Sequence, residues 1–430
     1  MIKRALLGIC FMVSAALPLG AQTNTFCQTD PGSPTSQPTV HAGKLACLLP
    51  NLGFPAVTSG PDPIGGLDAA IASQASLFPL ASPASGIVYT NDPVLQIPVP
   101  SGSDSFGPVM FERGETLHKG KVFIAFTYQN FQFSNMDGIN LKSVPAFFPT
   151  AVNGVPNAGL VETSTRVDLK INQFAIYADY GLTSRLDVSV AVPFLDVQLA
   201  ASTTCGSIFY LGKVFSPQPC LATNQVVNNK QVVLPSRSLS NGATGIGDVV
   251  FRAKGSLLRG EHLQLAAAVD VRVPTGDELN FLGTGAVGVR PFVAASWRGR
   301  VAPHVDFGYQ WNGNSDVASI QGPGNSGKLP DNIFYVAGAD ARVLKRLTLS
   351  ADYLGQYFIS ALREGINTSL PSNFTGVYTT SENFNTNYVT VGGKINPIGN
   401  LLITANVLFK LDNNGLHNKP APLAGISYTF

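Results

Sequence analysis

From residue 120 to the end the chain repeats one pattern: about ten residues with an apolar side chain at every second position, then a break. Leu263, Leu265, Ala267, Val269, Val271 and Val273 alternate with Gln264, Ala266, Ala268, Asp270 and Arg272, and Leu401, Ile403, Ala405, Val407, Phe409 and Leu411 alternate in the same way. A period of two belongs to a strand, not a helix. The pattern predicts strands near 121–131, 166–180, 185–197, 247–258, 262–273, 286–297, 301–311, 332–343, 346–358, 387–396, 400–411 and 422–430. Short breaks at 182–184, 259–261, 298–300, 344–345 and 397–399 alternate without exception with long ones at 132–165, 198–246, 274–285, 312–331, 359–386 and 412–421. A soluble sandwich has no reason to gather its long loops at one end, whereas bacterial outer-membrane barrels have short periplasmic turns and long extracellular loops. The expected fold is therefore all-β: a transmembrane antiparallel β-barrel of about twelve strands, with periplasmic termini and extracellular long loops.

Aromatic residues sit where such a barrel needs them. Trp311 falls at the outer rim and Trp297 at the inner rim, both on the apolar, lipid-facing parity shared by Tyr309, Tyr335, Tyr353, Tyr357 and Tyr428. An indole or phenol has an apolar body and one polar tip, which suits the boundary between lipid and water. The last segment places Ala424, Ile426, Tyr428 and Phe430 on one face and ends on Phe430, the form of a C-terminal insertion signal for the barrel-assembly machinery.

Composition agrees. Only 13% of residues are charged, and Gly (43), Pro (30) and Phe (26) favour turns and pleated strands over helices. Lys3 and Arg4 followed by an apolar run at 5–17 read as a secretory signal peptide over 1–21, with Cys10 inside it; no later apolar run reaches the length of a membrane helix. Residues 22–119 are irregular, rich in Pro, Ser and Gly, with one helix expected at 66–78; plug, periplasmic segment and partial disorder all remain open, and the barrel occupies 120–430. The four cysteines outside the signal allow three pairings, of which sequence proximity favours Cys27 with Cys47 and Cys205 with Cys220. A net charge of +2 gives no argument for nucleic acid.

The chemistry lies on the inward parity: Asp187, Asp248, Asp270, Asp306, Asp340 and Asp352 with Arg252, Lys254, Arg272, Arg342, Lys394 and Lys410. Such charges make a polar conduction path, or they pair across strands, as in Asp270 with Arg252 or Asp352 with Arg342, and only keep the lumen satisfied. The second outcome is favoured because a barrel of this width holds little water. His304 and Asp306 share the inward face and invite a relay, metal-pair or hydrolase reading, but no G-x-S-x-G elbow accompanies them and a hydrogen-bonded lumen role is expected. The acids of Gly276-Asp277-Glu278 lack regular calcium-ligand spacing, and no cofactor is implied. Pro291 and Pro303 each remove a ladder donor, so a bulge or a shifted boundary is expected there.

Short Gly-rich turns carry a resemblance: Gly245-Ile246-Gly247-Asp248, Pro274-Thr275-Gly276-Asp277, Leu282-Gly283-Thr284-Gly285, Pro303-His304 before Gly308-Tyr309, and Asp137-Gly138 after an aromatic-rich first strand. They resemble the outer-membrane transporter family named for the MetA pathway of phenol degradation, itself loosely similar in role to long-chain fatty-acid transporters. The resemblance covers about half of the barrel and implies passive or facilitated uptake of small hydrophobic or aromatic solutes from a barrel bathed in outer-membrane lipid, without enzymatic activity. A structural or adhesive surface barrel with a closed lumen is the first alternative, and a barrel-borne hydrolase the second.

Overall fold

The computed structural model describes residues 43–53, 63–75, 105–152, 155–228, 230–319, 325–367 and 376–430, with Cys27, Leu77 and the short strands Tyr89–Asn91 and Pro98–Pro100. The signal peptide expected at 1–21 lies outside these residues. Twelve strands form the barrel: β1 (Val122–Met136), β2 (Val155–Gly181), β3 (Leu186–Tyr210), β4 (Val249–Arg259), β5 (Leu263–Val273), β6 (Gly288–Trp297), β7 (Val301–Asn312), β8 (Asp331–Leu344), β9 (Leu347–Asn367), β10 (Gly376–Ile395), β11 (Leu401–Lys410) and β12 (Ala421–Thr429). Each pairs antiparallel with its sequence neighbours, and β12 returns to β1, with Ile426 opposite Phe126, so the sheet closes and no barrel edge is left bare.

Alternation explains the wall. Phe126, Phe174, Ile176, Phe251, Val293, Phe307, Leu349 and Ile403 are exposed on the outside, while Gln129, Gln173, Asp179, Asp270, Asp306 and Asn406 are buried within. Beyond this apolar belt the polarity inverts. On β2 the outward residues become Asn172, Lys170, Asp168 and Arg166, and the inward ones become Ile171, Leu169 and Val167. The long strands thus run past the belt as β-ribbons, which is why β2, β3, β9 and β10 exceed their expected spans. An additional strand, Ser236–Ile246, continues the line of β4 and pairs with the far half of β3.

The inverted faces enclose a core. Helix α1 (Pro63–Ala75), displaced three residues from its expected start, contributes Leu67 and Ile71, and the 3-10 turns Leu45–Cys47 and Pro50–Leu52 contribute Leu45, Leu49 and Leu52. These pack inside the barrel at its long-loop end against Phe131, Phe148, Val167, Val197 and Phe281. Both expected disulfides are formed, Cys27–Cys47 and Cys205–Cys220. Pro291 and Pro303 bring no bulge: the register stays continuous from Val269 opposite Pro291 and from Pro303 opposite Ala339.

Trp297, Tyr309, Trp311, Tyr353, Tyr428 and Phe430 are exposed on the outer surface. Tyr335 is only half-buried there, because its ring lies across Gly355, its direct partner on β9. A Cβ at Gly355 would come within 2.2 Å of that ring. Gly355→Val should therefore push Tyr335 off the wall and destabilise the barrel by about 1–3 kcal/mol, seen as a lower urea midpoint in lipid vesicles; an unchanged midpoint would show that the ring finds another seat at no cost.

Candidate functional site

At the short-turn end the lumen is crossed by residues 105–117, a strap anchored to most of the wall. Phe106 N donates to Thr348 Oγ1 at 3.0 Å, Glu112 N to Asp306 Oδ2 at 3.1 Å, Gly114 N to Ser296 Oγ at 3.0 Å and Leu117 N to Asp187 Oδ2 at 2.6 Å. Its side chains complete ion pairs: Arg113 with Asp340 at 2.6 Å, and Glu112 with Lys254 at 2.8 Å and with Arg252. Arg113, Asp340, Glu112 and Lys254 are buried and Arg252 nearly so, and a charge in such a place is tolerated only when paired.

The inward charges expected from alternation meet here in a defined order. Asp270 receives Arg252 at 2.6 Å from β4 and Arg290 at 2.5 Å from β6, so one carboxylate ties three adjacent strands. Arg272 donates to Asn312 Oδ1 at 2.6 Å and faces Asp248 at 3.7 Å. His304 lies between Asp352, 3.0 Å from Nε2, and Asp340, 3.5 Å from Nδ1, and Asp352 also accepts from Thr390 at 3.2 Å. Asp306 takes the strap's backbone instead of joining its sequence neighbour in a relay. Lys394 donates to the Phe106 carbonyl at 3.4 Å, and Lys410 to that of Leu416 at 2.9 Å.

One expected pair does not form. Asp352 lies opposite Gly338 and Arg342 opposite Thr348, four residues apart in the ladder, so the two cannot meet. Arg342 instead lies over the Phe106 ring at 5.3 Å, near the short-turn rim. Among the described residues, charged groups that escaped sequence reading include Asp179, Arg290, Glu112 and Arg113. Asp179 and Arg290 are on the inward parity and were findable from Tyr177 and Phe292, although Pro291 obscured the second. Glu112 and Arg113 belong to a segment without periodicity and gave no signal.

Between the strap and the core at the long-loop end lies a cavity of about 150 Å³. Phe123, Phe131, Ile171 and Tyr177 form one side, and Arg252, Arg272 and Arg290 with Asp270 form another. Leu77 and Ala75, at the end of α1, and Phe281 and Leu282 in the loop after β5 also line it. A cavity of this size is on the scale that admits a benzene ring, and the paired arginines supply donors along its polar side.

The Gly-rich turns roof it. Asp248 Oδ2 accepts from Thr284 N at 2.7 Å and Thr284 Oγ1 at 2.5 Å, and Oδ1 accepts from Gly276 N at 3.1 Å. Thr275 Oγ1 donates to the Gly247 carbonyl at 2.6 Å. A Cβ on Gly283 would sit 2.3 Å from the Asp248 carboxylate, so the turn needs glycine. Asp277, once a possible calcium ligand, pairs with Lys44 at 2.5 Å and holds the N-terminal elements in place. These three turns are thus one hydrogen-bonded unit.

Comparison with known proteins follows the same residues. Residues 160–357 match the family described as "Putative MetA-pathway of phenol degradation". This is the family that the turns resemble. The match runs from β2 to β9 and includes the Asp248 unit and the arginine-lined wall. No curated relative matches the chain. Among solved structures it is similar to the COG4313 outer membrane channel from Pseudomonas putida F1, with 15% identity and TM-score 0.42 over 74% of this chain and 97% of that one. It is also similar to the P. putida toluene transporter TodX (12%, 0.31, 73% and 90%) and to a Pseudomonas aeruginosa FadL homologue (9%, 0.29, 90% and 96%).

The shared carboxylate makes a direct test. Asp270→Ala leaves Arg252 and Arg290 without their common partner and should cost about 3–5 kcal/mol, measured as a shift in the denaturation midpoint. A loss below about 1 kcal/mol, the worth of an exposed pair, would mean that lumen water already solvates the arginines.

Proposed function

We propose that the protein is a bacterial outer-membrane channel for passive or facilitated uptake of small hydrophobic or aromatic compounds, with its N-terminal segment acting as a lumen plug. The observation that carries this reading is the amphipathic cavity, aromatic on one side and guanidinium-lined on another, enclosed in a barrel whose exterior is apolar. The family description, which names a pathway of phenol degradation, points to the same cargo class. In this reading the long loops face outward, the termini face the periplasm, and the C-terminal strand ending in Phe430 addresses the assembly machinery. The lumen charges serve passage and not catalysis: His304 is held between two carboxylates as a brace joining β7, β8 and β9.

A solute leaving the cavity toward the periplasm meets the strap, so transport requires that residues 105–117 yield. That same strap, bound to the wall by backbone hydrogen bonds and ion pairs, favours the rival reading of a closed surface barrel. The two separate in proteoliposomes to which either 4-hydroxybenzoate, which is ionised and crosses lipid poorly, or a polyol of similar size is added from outside. Wild type should admit the aromatic solute faster than the polyol, and Glu112→Ala/Arg113→Ala, which detaches the strap, should raise entry of both by about tenfold or more, the kinetic equivalent of about 1.4 kcal/mol. Entry no faster than in protein-free vesicles for both proteins would rule out the channel and support the closed barrel.

A further inference from the structure

Along β1 and β2 the outer surface changes character at a sharp level. Outward residues on β2 run Tyr180, Ala178, Ile176 and Phe174, then Asn172 and Lys170. Asn172 anchors a polar belt at this boundary, accepting from Tyr128 Oη at 3.0 Å and Asn130 Nδ2 at 2.7 Å and donating to Asp196 on β3 at 3.0 Å. Four residues at about 3.3 Å each, tilted by about 40°, put Lys170 roughly 10 Å beyond Phe174. With Phe174 inside the hydrocarbon boundary, this puts Lys170 at the level of the headgroup layer, which is about 5–8 Å thick on each side.

At this level a groove opens between the end of β1, residues 140–142 and β2, and Lys142, Lys170 and Lys419 all line it. The register explains the convergence. Gln132 stands opposite Lys170, and its carbonyl accepts the Lys419 N–H at 2.8 Å, while the Leu141 carbonyl accepts the Val167 N–H at 2.6 Å and holds Lys142 beside them. All three lysines are exposed. The carboxylate in the groove, Asp168, is already engaged by Arg166 at 2.7 Å, and among the described residues no acid lies within ion-pair distance of the three ammonium groups. Three exposed lysines lining one groove, whose single carboxylate is held by Arg166, are complementary to a phosphate. The apolar surface directly below, Phe174, Ile176 and Phe126, is where acyl chains of the same molecule would lie.

We propose that this groove binds a phosphate of a phosphorylated glycolipid in the leaflet at the long-loop end, fixing the barrel's height and rotation in the membrane. The site rests on the membrane placement argued above and is independent of the cargo. Full-length protein in detergent micelles is titrated with bisphosphorylated lipid A, and bound lipid is counted by native mass spectrometry. Lys142→Gln/Lys170→Gln/Lys419→Gln should weaken binding by about tenfold to a hundredfold, and Lys345→Gln at the opposite rim should leave it unchanged. Dephosphorylated lipid A should bind wild type no better than the triple variant. Equal affinity of wild type and triple variant for bisphosphorylated lipid A would overturn the site. Full displacement by millimolar inorganic phosphate would overturn the lipid assignment in favour of a free anion. Solute entry in vesicles free of glycolipid should be the same for both proteins, so failure of the lipid site and failure of the transport reading are told apart.

Discussion

The carboxylate of Glu112 sets the terms for everything inside the barrel. Arg252 and Lys254 point inward from neighbouring positions on one strand, where neither lipid nor bulk water can solvate them, and Glu112 reaches both from a segment that belongs to no strand. Once that segment is in place its backbone must be satisfied as well, and the wall answers with Asp187, Ser296, Asp306 and Thr348. The barrel's inward acids are thus acceptors for a strap at least as much as partners for the wall's own cations. Remove the strap and several buried acids and two cations lose partners together, which couples the closure of the lumen to the stability of the wall.

This arrangement divides the interior by chemistry. The short-turn half is held by ion pairs and hydrogen bonds, the long-loop half by an apolar core built from α1, the 3-10 turns and the inverted faces of β2 and β3. Where the two regimes meet, neither packs completely, and the cavity lies at that boundary with one aromatic and one cationic side. An apolar core holds its shape without orientation-specific bonds, whereas a strap held by charge-assisted bonds can exchange partners with water or solute. In the proposed channel the strap is therefore the part that moves, and the long-loop core is the fixed frame.

How much of this was legible follows from the same division. Within the membrane belt the wall separates lipid from a polar interior, so Leu263 to Val273 and Leu401 to Leu411 show the period of two directly, and all twelve strands were readable. Past the belt, solvent replaces lipid and the core replaces polar interior, so on β2 the apolar set moves from Phe174 and Ile176 to Ile171 and Leu169; a one-faced pattern ends there although the strand does not. Parity places Asp270 opposite Arg252, but it carries no register between non-facing positions, and for that reason the expected pair of Asp352 with Arg342 does not form. Glu112 and Arg113 could not be found at all, because a segment fitted to the inside of a closed sheet needs no periodicity of its own.

In the proposed channel the strap is both the closure and the moving part. Phe106 and Thr348, whose backbone N–H and hydroxyl meet at 3.0 Å, are replaced by cysteines so that oxidation ties the strap to β9. Entry of a small aromatic acid into vesicles would be measured for this variant oxidised and reduced, with wild type under the same reductant controlling for the native disulfides. The account predicts that oxidation abolishes entry and that reduction restores it to the wild-type rate. Equal entry in both states would contradict it, because solute would then be crossing a barrel whose strap had not moved.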